Sequence, residues 1–291
     1  MSVSRRSLLR AGAALAACAA LSPLARGAAA EERPSTLRIG LIPNQAPDRI
    51  RAQYRPFGEY LADTLGQSTE LFVATDYAGV VEALAADKLD MAYFGGVTYA
   101  QAELRAQLYP IVTEIDRETG TTRYYSALIT RVDSPIQTAA DVKERKFAFG
   151  DINSTSGSLY PRIMLDRAGI GDFQNPQKFI YTGGHDATVL AVQNGSVDAG
   201  GVEKRIMQRL FDAGTADASQ IRVIEQSLVQ GYPWCVRSAL DPELVERITL
   251  AFESIKDDEL LKLMRAQSYA RVGYADYDEI RQEARRVGLI R

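Results

Sequence analysis

Cysteine and histidine are scarce in this sequence of 291 residues, which contains two cysteines and one histidine. Cys18 lies in an N-terminal segment that has the features of a removable signal, so at most Cys235 would remain after processing. A disulfide scaffold and a cysteine-based zinc site both need more cysteines than this. Since His185 is the only imidazole, histidine-rich metal sites are excluded as well.

Signatures of the common enzyme classes are also missing. The chain has no G-x-S-x-G nucleophile elbow, no P-loop and no G-x-G-x-x-G dinucleotide fingerprint. A serine nucleophile would need a base, and His185 is the only candidate. We therefore expect a protein that is not an enzyme and that carries no cofactor and no metal.

The charge balance is mildly acidic, because 34 Lys and Arg residues against 37 Asp and Glu residues give a formal net charge of -3. This balance argues against nucleic acid or an anionic membrane surface as the main partner. It leaves room for a small anionic ligand, because backbone N–H groups bind anions without any net positive charge. Nothing in the sequence indicates oligomerisation, so we expect a monomer.

Residues 1–30 are typical of a twin-arginine-like signal peptide. Arg5 and Arg6 precede an apolar stretch from Ala11 to Leu21, and a run of alanines then offers a cleavage site. A membrane-spanning anchor would need about 20 apolar residues, which this stretch does not reach. We predict export to the periplasm. The alternative route is processing at a lipobox that ends in Cys18, which would leave a lipid anchor.

The rest of the chain alternates predicted strands and helices. The strand Thr36–Pro43 precedes a helix whose apolar residues recur at a spacing of about 3.6 up to Leu65, and Gly66 ends that helix. The same alternation recurs after Val132. Alternating strands and helices favour an α/β fold with largely parallel sheets.

Two such halves predict two lobes with a ligand cleft between them. We assign residues 31–130 and 229–291 to lobe 1 and residues 131–228 to lobe 2, joined by a hinge of two crossings. Ligands of open α/β sheets bind beyond the carboxyl ends of the strands. The loops after Phe149 and Thr182 are therefore the expected site.

The first candidate site is the segment Asn153–Gly157, which reads Asn-Ser-Thr-Ser-Gly, follows a strand and opens a helix. The hydroxyls of Ser154, Thr155 and Ser156 could all donate to one anion, together with the N–H groups of the first helical turn. Hydroxyl donors suit tetrahedral oxyanions because each can rotate to meet an oxygen. The alternative is a plain N-cap, but a cap needs one such residue rather than four in a row.

The second candidate is the turn Gly183–Asp186, where again a strand ends and a helix begins. Its His185 could donate to an anion, and binding would raise the pKa of His185 by favouring the protonated form. The alternative is a polar loop histidine beside a capping Asp186.

Tyrosines near predicted strand ends and crossings form the third candidate set. Tyr77 begins a predicted helix, Tyr124 lies near the first crossing and Tyr232 lies near the return crossing. Each offers an apolar wall and one hydroxyl. Most tyrosines in any chain are structural, so their clustering carries the argument.

These residues also carry a resemblance to the periplasmic phosphonate- and phosphite-binding proteins of ABC transporters. The similar segments occur in family order: Thr75-Asp-Tyr-Ala-Gly79, Asp90-Met-Ala-Tyr-Phe-Gly95, Tyr124-Tyr-Ser-Ala-Leu-Ile129, Asp151-Ile-Asn-Ser-Thr-Ser-Gly157 and Gly184-His-Asp-Ala187. The resemblance implies a type II periplasmic-binding fold that closes about a hinge. It implies a small phosphorus oxyanion as ligand and an ABC permease in the inner membrane as partner. The implied ligand contacts are Tyr77, Tyr124, Ser154, Thr155, Ser156 and His185.

One departure from the family pattern bears on the ligand. Relatives that prefer aminoalkylphosphonates carry an acidic residue shortly before the return strand, whereas this chain has Tyr232 there. A buried ligand ammonium without a carboxylate is unfavourable. We therefore favour phosphite or methylphosphonate, with phosphate as a further candidate. Glu203 is a candidate acceptor for a P–OH group.

The leading prediction is the solute-binding component of an ABC transporter. The same fold could instead present its ligand to a sensor kinase, as a periplasmic sensing module. A phosphoesterase with Ser154 as nucleophile and His185 as base is the remote alternative.

Overall fold

The structure, a computed structural model, describes residues 32–290, in which two β-sheets form the frame. The strands of the first sheet are β1 (Thr36–Leu41), β2 (Ser68–Val73), β3 (Met91–Tyr93), β4 (Leu108–Asp116), β10 (Trp234–Arg237) and β11 (Ala266–Arg271). Those of the second sheet are β5 (Arg123–Arg131), β6 (Phe147–Phe149), β7 (Phe179–Tyr181), β8 (Ala199–Glu203) and β9 (Ile221–Gln230).

Both sheets have a parallel core with antiparallel strands added to it. The first has the order β11-β4-β10-β3-β1-β2, in which β1 is parallel to β2 and β3 and β10 is antiparallel to β3 and β4. The second has the order β7-β6-β8-β5-β9, in which β6 is parallel to β7 and β8 and β5 is antiparallel to β8 and β9. The predicted α/β class is confirmed.

The chain passes from the first sheet to the second between β4 and β5, and it returns between β9 and β10. The sequence assigned residues 123–130 to lobe 1. The strand that they form pairs with β9 along its length, from Arg123 opposite Gln230 to Arg131 opposite Ile221. These residues therefore lie with the second sheet, because backbone hydrogen bonds, which the sequence pattern does not reveal, decide which sheet a crossing strand joins.

Helices cover both sheets of the described part of the chain. They are α1 (Pro47–Leu65), α2 (Tyr77–Ala85), α3 (Gly96–Ala102), α4 (Tyr160–Arg167), α5 (His185–Gln193), α6 (Lys204–Asp212), α7 (Pro242–Glu253), α8 (Asp258–Leu263) and α9 (Asp278–Arg286). A π-helical turn, Thr155–Leu159, leads directly into α4. No helix within residues 32–290 is long and apolar enough to cross a membrane.

The amphipathic pattern of α1 fixes the return crossing. Its buried face includes Tyr54 and Phe57, and Gly66 ends the helix with a left-handed φ of 64°. The rings of Tyr54 and Phe57 lie 6.1 and 5.1 Å from the ring of Trp234 on β10. This aromatic packing anchors the strand that immediately follows Tyr232 and Pro233.

Alternation along β6, an interior strand of the second sheet, gives that sheet a core on each face. Phe147 and Phe149 of β6 belong to one core, whereas Ala148 between them belongs to the other. Burial of these apolar side chains is the main stabilising contribution to the sheet. The loop that follows β6 is thereby held at the sheet's carboxyl edge.

Candidate ligand-binding site

The structure brings the predicted site residues together in the interior, each with 2% exposure or less. We call this group of buried side chains the polar chamber. Its members are Tyr77, Tyr124, Ser154, Thr155, Ser156, His185, Glu203 and Tyr232. Strands or turns of both sheets contribute to it, and most of the contributing loops follow the carboxyl end of a strand.

Short-range hydrogen bonds hold the serine-rich loop. The N–H of Gly150 donates to the carbonyl of Gly157 at 2.8 Å, which closes the loop at its base. Asp151 accepts from the N–H of Asn153 at 2.7 Å and Ser154 Oγ accepts from the N–H of Gly157 at 3.0 Å. Ser154 is thus an N-cap, as its residue type predicts.

The three consecutive side chains nevertheless do different things. Thr155 Oγ1 accepts from the N–H of Val97 at the start of α3, at 3.0 Å. This bond connects the loop after β6 of the second sheet to the helix that follows β3 of the first sheet. Ser156 Oγ is fully buried and has no hydrogen-bond partner among the described residues. Because Ser154 and Thr155 use their oxygens only as acceptors in these bonds, their hydroxyl hydrogens can still be donated. A capping role alone accounts for Ser154 but not for Ser156.

Gly157 brings the loop against His185. A Cβ at this position would lie 2.9 Å from His185 Cε1 and 2.9 Å from Ser154 Oγ, which is closer than real carbon contacts allow. Only glycine therefore permits the observed approach. Packing of the serine-rich loop against the turn that contains His185 thus explains why the segment Asn153–Gly157 ends in glycine.

His185 is held as a neutral donor. Its Nδ1 accepts from the backbone N–H of Glu203 at 3.1 Å, so the ring proton is on Nε2, which is buried without a partner. Burial lowers the pKa of His185 to about 4, against the opposing charge of Glu203. The effect of a bound anion on this pKa stays a prediction, and protonation of Nδ1 would cost its hydrogen bond to the backbone N–H of Glu203.

Tyr77 approaches the serine loop from the first sheet. Its backbone N–H donates to Asp151 at 3.5 Å, and its hydroxyl is buried with no hydrogen-bond partner among the residues described. Burial, with a further contribution from Asp151, raises the pKa of Tyr77 well above its ordinary value, while the neighbouring Ser154 side chain opposes this. Tyr77 is thus a neutral phenol at any physiological pH.

Tyr232 and Tyr124 form the opposite wall. The Tyr232 hydroxyl donates to Glu203 Oε2 at 2.5 Å, and the two tyrosine rings lie 5.2 Å apart. The other face of Tyr232 stacks on Tyr93 at 5.1 Å. Burial, with a further contribution from Glu203, raises the pKa of Tyr124, while the neighbouring Ser156 and Arg205 side chains oppose this.

Sequence reasoning missed two arginines that surround Glu203. Arg205 Nε donates to Glu203 Oε1 at 2.8 Å, and Arg265 Nε lies 3.5 Å from the same oxygen. Burial by itself would raise the pKa of Glu203, but Arg205 and Arg265 outweigh it and lower the pKa to about 2. Arg205 could have been suspected from its place two residues after Glu203, whereas Arg265 follows a helix end and carries no local signal.

Taken together, the chamber presents mainly hydrogen-bond donors. The hydroxyls of Tyr77 and Ser156 and the Nε2–H of His185 are buried and unpartnered. Leaving such a group unsatisfied costs about 1–3 kcal/mol each. Acceptor oxygens of a small solute are the kind of partner that these groups lack.

Comparison with known proteins gives a consistent result. Residues 39–279 match the family of ABC transporter, phosphonate, periplasmic substrate-binding proteins. The chain is 30% identical to the phosphate-import protein PhnD of Mycolicibacterium smegmatis, over 92% of this chain and 93% of that protein. It is also 30% identical to the phosphonates-binding periplasmic protein of Escherichia coli, over 78% of this chain and 68% of that protein.

The fold has solved counterparts. The crystal structure of a binding-protein component of an ABC phosphonate transporter from Pseudomonas aeruginosa superimposes with a TM-score of 0.78 at 25% identity, covering 87% of this chain and 86% of the other. This likeness confirms the periplasmic-binding-protein fold that the sequence motifs implied. The chain belongs to the family of phosphonate periplasmic substrate-binding proteins of ABC transporters.

Proposed function

We propose that the chain captures a small phosphorus oxyanion in the polar chamber and delivers it to an ABC permease. The observation that carries the proposal is that three side chains of the polar chamber each bury an unpartnered polar atom, namely Tyr77 Oη, Ser156 Oγ and His185 Nε2. Phosphorus oxyanions supply several acceptor oxygens in a tetrahedral arrangement, which matches donors that arrive from several directions.

Electrostatics favour an anion even though His185 is neutral. Thr155–Leu159 and α4 form a continuous helical segment whose first turn faces the chamber. The N-terminus of such a segment carries a partial positive charge worth up to about 2 kcal/mol for a partly buried anion. Oriented N–H and O–H dipoles stabilise the charge without any ion pair of their own.

Contacts between elements of the two sheets fit a closed state of a hinged receptor. The N–H of His185 donates to the carbonyl of Asn44 at 3.1 Å, and the N–H of Ala46 donates to Asp186 Oδ2 at 3.0 Å. Thr155 and Val97 add the bond described above. We propose that these bonds form when the lobes close over the ligand and break when they open.

The ligand that we favour is phosphite or methylphosphonate, ahead of aminoalkylphosphonates, with phosphate as a further candidate. The sequence argument was that Tyr232 replaces a carboxylate. The Tyr232 hydroxyl in fact donates to a carboxylate, that of Glu203. This carboxylate already has Arg205 and Arg265 as neighbours, so a ligand ammonium would find it engaged. The role of Glu203 as an acceptor for a P–OH group would be secondary to these bonds.

A phosphoesterase finds no support in this geometry. A serine hydrolase needs its base hydrogen-bonded to the nucleophile. Among the described residues, His185 Nε2 has no partner, and Nδ1 is occupied by the backbone of Glu203.

Location and partners follow the family. We propose a monomeric periplasmic protein that works with an inner-membrane permease. The signal peptide predicted at residues 1–30, with the alternative lipid anchor at Cys18, lies outside the described residues. A periplasmic sensing module that serves a sensor kinase would use the same chamber, so the permease is proposed on family membership alone.

Calorimetric titration tests the proposal. Tag-free protein that has been unfolded, dialysed and refolded to remove carried ligand is titrated with phosphite, methylphosphonate, phosphate and 2-aminoethylphosphonate. We expect one-to-one binding of at least one of the first three, in the micromolar range or tighter, and weaker binding of the last. If none of the four binds, the proposed function is wrong.

A further inference from the structure

Arg265 is an arginine in an unusual place. It lies between α8 and β11, adopts a left-handed φ of 62°, and is 5% exposed. A non-glycine residue in this conformation is strained, and such strain persists only where the surroundings hold it. Burying a guanidinium is also costly unless it is paired. Both the backbone strain and the burial of the guanidinium must therefore be offset by the contacts that Arg265 makes.

The guanidinium of Arg265 is aimed at the back of the polar chamber. Its Nη2 donates to the hydroxyl of Tyr93 at 3.0 Å, and its centre lies 5.8 Å from the ring of Tyr232. Within residues 32–290, Glu203 is the one carboxylate within 4.0 Å of Arg265, at 3.5 Å. Glu203 is therefore the nearest counter-charge of Arg265 among the described residues, in an ion pair without a direct hydrogen bond, since Arg265 Nε has no hydrogen-bond partner there.

Arg205 differs from Arg265 in this respect. It binds Glu203, but it also lies 3.0 Å from Glu114 and 3.6 Å from Asp116. Its charge is thus shared among three carboxylates. Removing Arg205 would disturb all three, whereas removing Arg265 would take one of the two neighbouring cations from Glu203, which would keep its bonds to Arg205 and Tyr232, and would affect no other carboxylate.

The ionisation state of Glu203 and its pairing with arginines determine the charge that a ligand meets beside Tyr232. With two guanidiniums beside it, Glu203 stays a carboxylate and draws the proton of the Tyr232 hydroxyl towards itself. A ligand ammonium near Tyr232 would meet a carboxylate whose charge is already matched, and it would be repelled by the arginine behind it.

We propose that Arg265 is a positioning residue for ligand specificity, which commits the Glu203 carboxylate to the protein and so denies a positively charged substituent its partner. The proposal rests on the proposed function, because it concerns the substituent of a ligand held by its oxyanion in the chamber. It replaces the simpler view that a carboxylate is missing near Tyr232. Glu203 is present there, but Arg265 engages it.

A matched pair of ligands and three variants test this role. Aminomethylphosphonate and ethylphosphonate have nearly the same size and differ in one ammonium. Arg265→Met removes the charge, Arg265→Lys retains it, and both side chains are unbranched, so the backbone strain is similar. Arg209→Gln removes a neighbouring guanidinium that donates to the carbonyls of Lys262 and Leu263.

Titrations of each protein give the affinity ratio of aminomethylphosphonate to ethylphosphonate. We expect Arg265→Met to raise the ratio at least tenfold over the wild type, and Arg265→Lys and Arg209→Gln to leave it within about threefold. Arg265→Gln, which can still bond to Tyr93, is the second neutral variant should the methionine variant not fold. An unchanged ratio in a folded neutral variant that binds ethylphosphonate would overturn the proposal.

The pH profile separates positioning from a structural role. The groups that face Glu203 are Arg205, Arg265, His185 and Tyr232, with Glu114 and Asp116 beyond Arg205. Loss of Arg265 removes one of the two cations that lower the pKa of Glu203, so that pKa rises. We divide the ratio in Arg265→Met by the wild-type ratio at the same pH, so that protonation of the ligands themselves cancels, and we expect this quotient to fall as the pH decreases below 6. A wild type that binds none of phosphite, methylphosphonate, phosphate and 2-aminoethylphosphonate would instead refute the proposed function itself.

Discussion

The Nδ1 atom of His185 accepts a hydrogen bond from the backbone N–H of Glu203 at 3.1 Å. This bond assigns the ring proton to Nε2, which is buried without a partner among the described residues. It also connects the turn that contains His185 to Glu203, whose carboxylate accepts from the Tyr232 hydroxyl. The oxyanion would therefore be held by neutral donors, and the chamber's charged groups would lie behind its wall.

Acid should destabilise the protein through His185. Burial lowers the pKa of His185 to about 4, below its usual value near 6.5, so the unfolded chain binds more protons between these values. The stabilising contribution is fully present above pH 6.5 and is lost as the pH falls towards 4. We expect the free energy of unfolding to decrease by about 1.4 kcal/mol per pH unit from this group alone. Urea denaturation from pH 7.5 to 4.5 measures it.

The control for this prediction is His185→Gln, which removes the only histidine of the chain. Its unfolding free energy should lack the slope between pH 6.5 and 5. Below pH 4.5 both proteins should lose further stability, because the lowered pKa of Glu203 acts in the same direction between 4.5 and about 2. Parallel curves for both proteins at pH 5–6.5 would refute the buried neutral state.

Ser156→Ala should weaken ligand binding without harming the fold. Ser156 Oγ is buried and unpartnered, so its removal leaves no protein group unsatisfied. A hydrogen bond to a charged ligand is worth about 1.5–3 kcal/mol, which corresponds to a 10- to 100-fold loss of affinity. Titration calorimetry gives the affinity, and thermal unfolding of the free protein gives the stability.

Ser158→Ala is the matched control in the same helical turn. Ser158 is equally buried, but its hydroxyl already donates to the carbonyl of Asp151 at 2.5 Å. Its removal should lower stability by about 1 kcal/mol and change the affinity little. If the two serine variants lose affinity equally, the separate roles assigned to the hydroxyls are wrong.

Gly157→Ala should disrupt both loops. The added methyl group would lie 2.9 Å from His185 Cε1 and 2.9 Å from Ser154 Oγ, so one of these side chains must move. We expect a loss of affinity of at least tenfold together with a destabilisation of about 1–3 kcal/mol. Gly171→Ala is the control, since its nearest contact would be 3.6 Å away. Wild-type affinity in Gly157→Ala would contradict the close packing of the loops.

Thr155→Val should speed ligand release. Valine keeps the shape of threonine but cannot accept the N–H of Val97, which would be left buried and unsatisfied in the closed state. A penalty of about 1–3 kcal/mol corresponds to roughly 10- to 100-fold faster opening. Stopped-flow fluorescence of Trp234, the only tryptophan, follows the release. Thr155→Ser retains the acceptor and should release ligand at close to the wild-type rate.

Local sequence patterns predicted much of the fold because they act over short distances. The periodic apolar residues of α1 and the left-handed Gly66 specify that helix without reference to the rest of the chain. The placement of β5 was wrong by contrast, since a strand's partners are set by distant residues such as those of β9. The serine loop and His185 were found because each stands at a strand-to-helix turn.

Arg265, behind the chamber, could not be found in this way. Arg265 reaches Glu203 from a position 62 residues further along the chain, and no motif joins them. The tautomer of His185 was also out of reach, because it depends on the backbone N–H that faces Nδ1. The residue types at the site were readable from the sequence, but their proton positions and counter-charges required the tertiary structure.

The most direct test of the central claim is a ¹H–¹⁵N spectrum of the single histidine, recorded while phosphite or methylphosphonate is added at pH 6.5. Calorimetry under the same conditions establishes saturation. We predict that free and bound protein both show the neutral ring with its proton on Nε2, and that the Nε2–H signal moves downfield in proportion to the occupied fraction. Protonation of Nδ1, or an Nε2–H signal that does not respond at saturation, would contradict the account.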